Sequence, residues 1–376
     1  KPHKSGLTIY ALRQAKALAA RGHDVTVLTS QYDPSLAKFE RDQGVKIIRV
    51  PVAFRLSKGV IMPSMPVKAS QFVGDTDIVH LHLPQADAAV IALIAKLRRK
   101  PVVVTYHCDL KMPRGWLNRV AGWGAALANH ISAALADVVV HNTRDFAAHS
   151  RFLKRYMNKL QVVQPPIFLE SISRADVQSF IKKHNIDVSK PIIGMLSRLA
   201  TEKGVEVLVQ AMPEILSWNQ EVQVLFVGDN RNVIGEEAYR KKILPMIEEL
   251  REHWTFLGIL SESEKAAFFE VCDVLVLPSL NSTESFGMVQ VEAMTCGTPV
   301  VATDLPGVRQ PVQSTGMGKI VPVKDPHALA QGIIAVLASG QFVDSAVTDQ
   351  LRDYYSPETV AQDFESIYQD LVRANG

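Results

Sequence analysis

Short runs of β-branched and aliphatic residues alternate with longer amphipathic stretches along the whole chain. In the first half the apolar runs fall at 25–28, 46–50, 77–81, 102–105 and 137–140, and in the second at 192–196, 222–227, 255–257, 273–277 and 300–302. Most are continuously apolar rather than alternating, the pattern of parallel strands covered on both faces. Stretches such as 11–21 and 263–271 carry the helical spacing that supplies the covering layers. Strand–helix alternation of this kind predicts a doubly wound α/β sheet, here formed twice. Pro165-Pro166 can continue neither a helix nor a central strand, so the boundary is placed there: residues 1–167, then 168–356. Residues 357–376 read as a terminal helix that crosses back to the first domain, with hinges near Pro165-Pro166 and Tyr354 to Pro357.

A chain of 376 residues with 47% hydrophobic and 21% charged residues is long enough for two cores and excludes disordered and low-complexity classes. Cys108, Cys272 and Cys296 are few and far apart, which is no disulfide framework and fits a reducing compartment. No apolar run reaches the ~18–20 residues that span a bilayer, and no leader pattern opens the chain. A cytoplasmic protein is expected. The charge is uneven. Residues 1–170 hold 24 Lys and Arg against 11 Asp and Glu, and the remainder 17 against 27. The basic half suits an anionic surface, unless the segregation merely covers solvated faces. Two segments of that half, 54–63 and 111–120, mix cations with apolar and aromatic residues and are the expected contacts of an anionic leaflet. Nucleic acid is not expected, because no aromatic–basic motif of known type is present.

Open α/β sheets bind ligands at the carboxyl ends of their strands, and three constellations lie there. After the 273–277 strand, Glu284 precedes a helix expected over 286–296, with Ser285 as its cap and Glu292 two turns further on. The free N–H groups of Phe286, Gly287, Met288 and Val289 suit a diphosphate, and carboxylates suit sugar hydroxyls; alternatively, Glu292 pairs structurally and Glu284 is solvated. After the 192–196 strand come Arg198 and Lys203, the latter expected in the first turn of a helix opening at Thr201. Cations there are poorly placed for the helix dipole unless an anion lies between; surface ion pairs are the plainer reading. After the 102–105 strand come His107 and Asp109. His80 and His82 share a strand face, but no third ligand at suitable spacing completes a metal site. His23 reads as a helix-stop residue.

The Arg198/Lys203 pair, Glu284-x7-Glu292 and Cys296-Gly297-Thr298-Pro299-Val300-Val301-Ala302-Thr303-Asp304 resemble the retaining glycosyltransferases of family 4, on the GT-B fold. Residues 19–28 and 77–80 are similar to that family's amino-terminal pattern. The resemblance implies two Rossmann-like domains facing across a cleft and a hexosyl transfer from a nucleotide-diphosphate sugar, UDP-sugar before GDP-mannose, to a glycan or lipid-linked acceptor. It implies no cofactor and no metal. Arg198 and Lys203 would neutralise the departing diphosphate, Glu284 would hold sugar hydroxyls, and Glu292 the ribose. Gly258, Ile259 and Leu260 would flank the base. Gly6 would approach a phosphate, and His107 would reach the transferred sugar, with His82 and Asp109 on the acceptor side. The chain departs from the family pattern at three points. No strand precedes the glycine loop, Ser5-Gly6 stands for that loop, and Gln164-Pro165-Pro166 replaces the usual Asn-Gly turn. A two-domain binding protein and a nucleotide-sugar epimerase on the same fold are the alternatives.

Overall fold

A computed structural model of the chain describes residues 6–56, 59–111, 115–231, 233, 235–340 and 345–375. Ser5 of the Ser5-Gly6 pair, and Ser57, Lys58, Met112, Pro113 and Arg114 of the two basic–apolar segments, lie outside the described residues. Two compact units emerge, one of residues 1–166 with 355–376, the other of residues 167–354.

The first unit runs α1 (Gly6–Ala20), β1 (Thr26–Gln31), β2 (Phe39–Asp42), β3 (Val45–Pro51), β4 (Phe54–Leu56), β5 (Gly59–Ile61), α2 (Met65–Val73), β6 (Val79–Leu83), α3 (Ala88–Leu97), β7 (Val102–Tyr106), α4 (Trp116–Leu135), β8 (Val138–His141), α5 (Arg144–His149) and β9 (Leu160–Val162). Among the described residues its strands form a β1-β3-β2 sheet, a parallel β6-β7-β8-β9 sheet and the β4-β5 hairpin. Every residue of β7 is buried, as its unbroken Val-Val-Val run requires of a strand covered on both faces. Segment 54–63 is mostly the β4-β5 hairpin. One face of the β6–β9 sheet is covered by α2, α3 and α4, through Met65, Ala69, Ile91, Ala92, Ala95 and Ala133.

The second unit runs α6 (Arg174–His184), β10 (Ile192–Leu196), α7 (Val205–Trp218), β11 (Gln223–Val227), α8 (Glu237–Glu248), β12 (Trp254–Gly258), α9 (Glu262–Val271), β13 (Val274–Leu277), α10 (Met288–Thr295), β14 (Val300–Thr303), α11 (Gln310–Thr315), β15 (Gly318–Val321), α12 (Pro326–Ser339) and α13 (Ser345–Tyr354). Its strands are all parallel, in the order β12-β11-β10-β13-β14-β15. Chain order therefore reverses between β10 and β13, which opens a crevice at their carboxyl ends. Capping boxes fix two helix starts, Ser173 with Asp176 and Ser261 with Glu264, each satisfying otherwise orphaned N–H groups.

The terminal helix α14 (Pro357–Asn375) belongs to the first unit. Val360, Ala361, Phe364 and Ile367 on it share a core with Ala17 and Leu18 of α1 and with Val103, Val138 and Val140 of the sheet. His23 is more than a helix stop: its Nε2 lies 2.7 Å from Glu365 of α14.

Candidate functional site

The crevice of the second unit is built by two loops. The loop after β10 is held in place from both sides. Ser197 N–H donates to Val227 O at 2.9 Å and Leu199 N–H to Asp229 O at 2.9 Å. The Glu236 carboxylate, itself buried, accepts from the N–H and hydroxyl of Thr201 at 3.0 and 2.7 Å. Thr201–Lys203 then makes one 3-10 turn, and α7 starts only after Gly204. This corrects the expected helix opening at Thr201. Gly204 has φ +68, and a Cβ on it would lie 2.0 Å from Pro278 O, so the backbone reverses where a side chain cannot fit. Lys203 thus precedes α7 instead of occupying its first turn; it still lies beside the positive end of the helix, and the Glu284 carboxylate supplies the opposing charge.

The loop after β13 meets this turn. Leu280 N–H donates to Glu202 O at 2.9 Å. Asn281 shapes an Asx turn, its Oδ1 accepting from Thr283 N–H at 3.1 Å. Gly287 (φ +78) is the N-cap of α10, which corrects both Ser285 as cap and the expected start at Phe286. Phe286 is buried ahead of the helix. At Gly287 a Cβ would lie 2.4 Å from Leu277 Cδ2. Gln290, fully buried, donates to the carbonyls of Phe286 and Val308 and pins the turn from below.

These constraints bring together side chains far apart in sequence. Lys203 Nζ lies 2.6 Å from Glu284 Oε2. Arg198 lies 3.1 Å from Glu202 within the same loop. Glu292, buried in α10, is 3.2 Å from Lys265 of α9, which also holds Glu262 at 2.8 Å. Gly258 ends β12 with φ +72, its carbonyl accepting from Gly228 N–H at 2.8 Å; Ile259 beside it is exposed and Leu260 half-buried. A fixed cation, a carboxylate and the amides of a helix start now share one crevice, which suits an anion bearing a hydroxylated group. Glu236, Lys265 and Gln290 were not singled out from sequence, because their partners are distant and no local pattern marks them.

In the first unit His80 and His82 of β6 and His107 after β7 form a stack. His80 and His82 ring centroids are 4.7 Å apart, and those of His82 and His107 5.2 Å apart. His82 Nδ1 and His107 Nε2 are 2.9 Å apart. His80 reaches Thr105 Oγ1 at 2.7 Å and Tyr368 OH at 2.6 Å. Burial favours the neutral imidazoles: His82 is pushed down to about 4, and His80 and His107 fall well below the ordinary range. Asp109 Oδ1 accepts from Tyr106 OH at 3.1 Å and Ser150 Oγ at 2.6 Å, bracing the loop after β7. Gly6 begins α1. Among the described residues, no group of three or more His, Cys, Asp or Glu is placed to hold a metal ion. Nor is any helix there long and apolar enough to cross a membrane.

Comparison with known proteins places both units. The family model "Glycosyl transferases group 1" matches residues 176–350 and the model "Glycosyl transferase 4-like domain" residues 5–166. The chain is 27% identical over 359 residues to the phosphatidyl-myo-inositol mannosyltransferase of Mycobacterium leprae, covering 93% of this chain and 86% of the relative. It is 24% identical to the N-acetyl-alpha-D-glucosaminyl L-malate synthase of Bacillus anthracis, covering 99% and 96%. Anabaena HepE in complex with UDP superposes with a TM-score of 0.77 at 20% identity, covering 98% of each chain.

Proposed function

The chain belongs to the group 1 glycosyl transferases with a glycosyl transferase 4-like amino-terminal domain and has the GT-B fold; from that premise we propose that it moves a hexosyl group from a nucleotide-diphosphate sugar to a glycan or lipid-linked acceptor. The observation that carries this reading is the meeting of Lys203 with Glu284 beside the start of α10, at the reversal point of the sheet. UDP-sugar is the favoured donor, in keeping with the UDP complex of the Anabaena neighbour, and GDP-mannose the second. The name of the mycobacterial relative supports a lipid-linked acceptor. The acceptor side is assigned to the first unit, which would work at an anionic leaflet.

The chemistry follows from charge. As the bond from the anomeric carbon to the diphosphate oxygen breaks, negative charge grows on the leaving group. Arg198, Lys203 and the N–H groups at the start of α10 would stabilise that charge where it develops. Glu284 would fix the sugar through its hydroxyls while its charge is balanced by Lys203. Glu292, held by Lys265, would take the ribose hydroxyls, and Gly258 to Leu260 would flank the base. His107 is assigned to the transferred sugar, with His82 and Asp109 on the acceptor side. Attack from the face the diphosphate leaves would retain the anomeric configuration, with the protein's own cations in place of a metal. No strong base is required, since the departing diphosphate can take the acceptor proton.

The test is a panel of UDP-, GDP- and ADP-sugars. One donor class should raise the melting temperature and yield free nucleoside diphosphate with an acceptor, and NMR of the product should show the donor's anomeric configuration. Stabilisation without release would favour a binding protein, and an altered sugar formed without acceptor an epimerase.

A further inference from the structure

On the sheet face covered by α2, α3 and α4, the outward side of those helices carries an exposed apolar surface. On α4, Trp116, Val120, Trp123, Leu127 and Ile131 are all exposed, Trp116 by 73%, Trp123 by 69% and Leu127 by 62%. Their spacing of four, three, four and four residues keeps them on one stripe, about 22 Å long at a helical rise of 1.5 Å. The neighbouring α3 turns Ile91, Ala92 and Ala95 to the core and leaves Val90, Leu93 and Leu97 exposed, the last by 76%. A stripe of this size on a folded chain marks a contact surface.

The charges on this face have one sign. No Asp or Glu occurs within α2, α3 or α4. Lys68 on α2, Arg98, Arg99 and Lys100 at the end of α3, and Arg119 on α4 supply cations. Lys96 and Arg98 are held within the fold, Lys96 by Asp137 at 2.6 Å and Arg98 by donating to Ser70 O at 2.5 Å. The neighbouring acids Asp75, Asp77 and Asp87 lie in the connections that flank β6. Apolar side chains with two tryptophans, fringed by cations, match a lipid interface, where indoles settle at headgroup depth and cations meet anionic phosphates. A second copy of the chain would set this cationic face against itself.

We propose that the outward face of α2, α3 and α4 docks on an anionic lipid leaflet, with the α4 stripe from Trp116 to Ile131 entering the interface. The stripe extends well beyond segment 111–120, and the β4-β5 hairpin is not required. The proposal rests on the transferase reading only in supposing a lipid-linked acceptor.

The test is flotation of the full chain with vesicles of phosphatidylcholine alone or mixed with phosphatidylglycerol. Binding should require phosphatidylglycerol, weaken at high salt, and shift tryptophan emission to the blue. Trp123→Asp with Leu127→Asp, and separately Arg99→Glu with Arg119→Glu, should each cut the bound fraction about tenfold or more. Thermal melting should stay unchanged, because these side chains are exposed. Equal binding to neutral vesicles, no binding to either, or a dimer in sedimentation that Trp123→Asp with Leu127→Asp dissolves would each overturn the proposal. Donor stabilisation of the same protein reports the transferase reading separately, so a chain that binds donor but not vesicles loses only the docking face.

Discussion

Lys203 Nζ lies 2.6 Å from Glu284 Oε2 across 81 residues of sequence. The pair exists because β10 and β13 are adjacent parallel strands and because Gly204 lets one loop press against Pro278 at the end of the other. The fold thus sets a cation beside the carboxylate proposed to hold the sugar.

Removing either proposed diphosphate cation should slow transfer more than it destabilises the fold. Arg198→Ala and Lys203→Ala should each cost about 2–4 kcal/mol in kcat/KM, the range for one lost electrostatic contact in a transition state. A double-mutant cycle over Lys203 and Glu284 should give a coupling of about 0.5–3 kcal/mol. Additive effects in that cycle would mean the two side chains act independently.

Two glycines of the second unit should respond differently to alanine. Gly258 has φ +72 with open space around its missing Cβ, so Gly258→Ala should cost only the left-handed backbone penalty, about 1–2 kcal/mol. Gly204→Ala adds a collision with the Pro278 carbonyl and should lose at least twice as much in urea denaturation, with weaker donor binding. Equal losses would contradict the close approach of the two loops.

Acid should weaken the first unit. His80, His82, His107 and His141 have depressed pKa values in the fold, His82 and His141 near 4 against the ordinary 6.5. The unfolded chain therefore takes up protons first. Stability is full above about pH 6.5 and falls as the pH drops, the contributions of His82 and His141 levelling off below about 4. Glu264, lowered to about 2 by Lys183, loses its contribution only as the pH falls below the ordinary carboxylate range, so it contributes little to the upper part of this window. His82→Gln should flatten the slope of melting temperature against pH between about 6.5 and 5; an unchanged slope would mean these imidazoles do not govern it.

A chelator should leave turnover intact. The groups proposed to stabilise the diphosphate are side-chain cations and backbone amides, which EDTA does not remove. Loss of activity that a divalent cation restores would show that the diphosphate is held through a metal.

The sequence made the framework legible where burial dictates composition. The apolar run at 192–196 is β10, that at 102–105 is most of β7, and the terminal helix matches its expected span. Phe39–Asp42 and Gly318–Val321 were not read as strands because each is only four residues long, the first being three charged residues after an exposed Phe39 and the second opening on Gly-Lys. Arg198, Lys203, Glu284 and Glu292 were recognisable by residue type and spacing. Their environment was not. The 3-10 turn at Thr201–Lys203 and the cap at Gly287 depend on the approach of Pro278 and Leu277, which no local pattern encodes. The bonds from Thr201 to Glu236 and from Lys265 to Glu292 span 35 and 27 residues. The exposed stripe of α4 was readable only in part: Trp116 stood out among cations, whereas Trp123, Leu127 and Ile131 fit a buried helix face equally well until their exposure is known.

The central claim is transfer from a nucleotide sugar with Glu284 in the donor site. Its most direct test is nucleoside diphosphate release, with a stabilising donor and an acceptor, by the unaltered chain and by Glu284→Ala. The account predicts steady release by the former and near-complete loss in the variant, with the melting temperature of the free protein little changed. Normal turnover by a folded Glu284→Ala protein would contradict it.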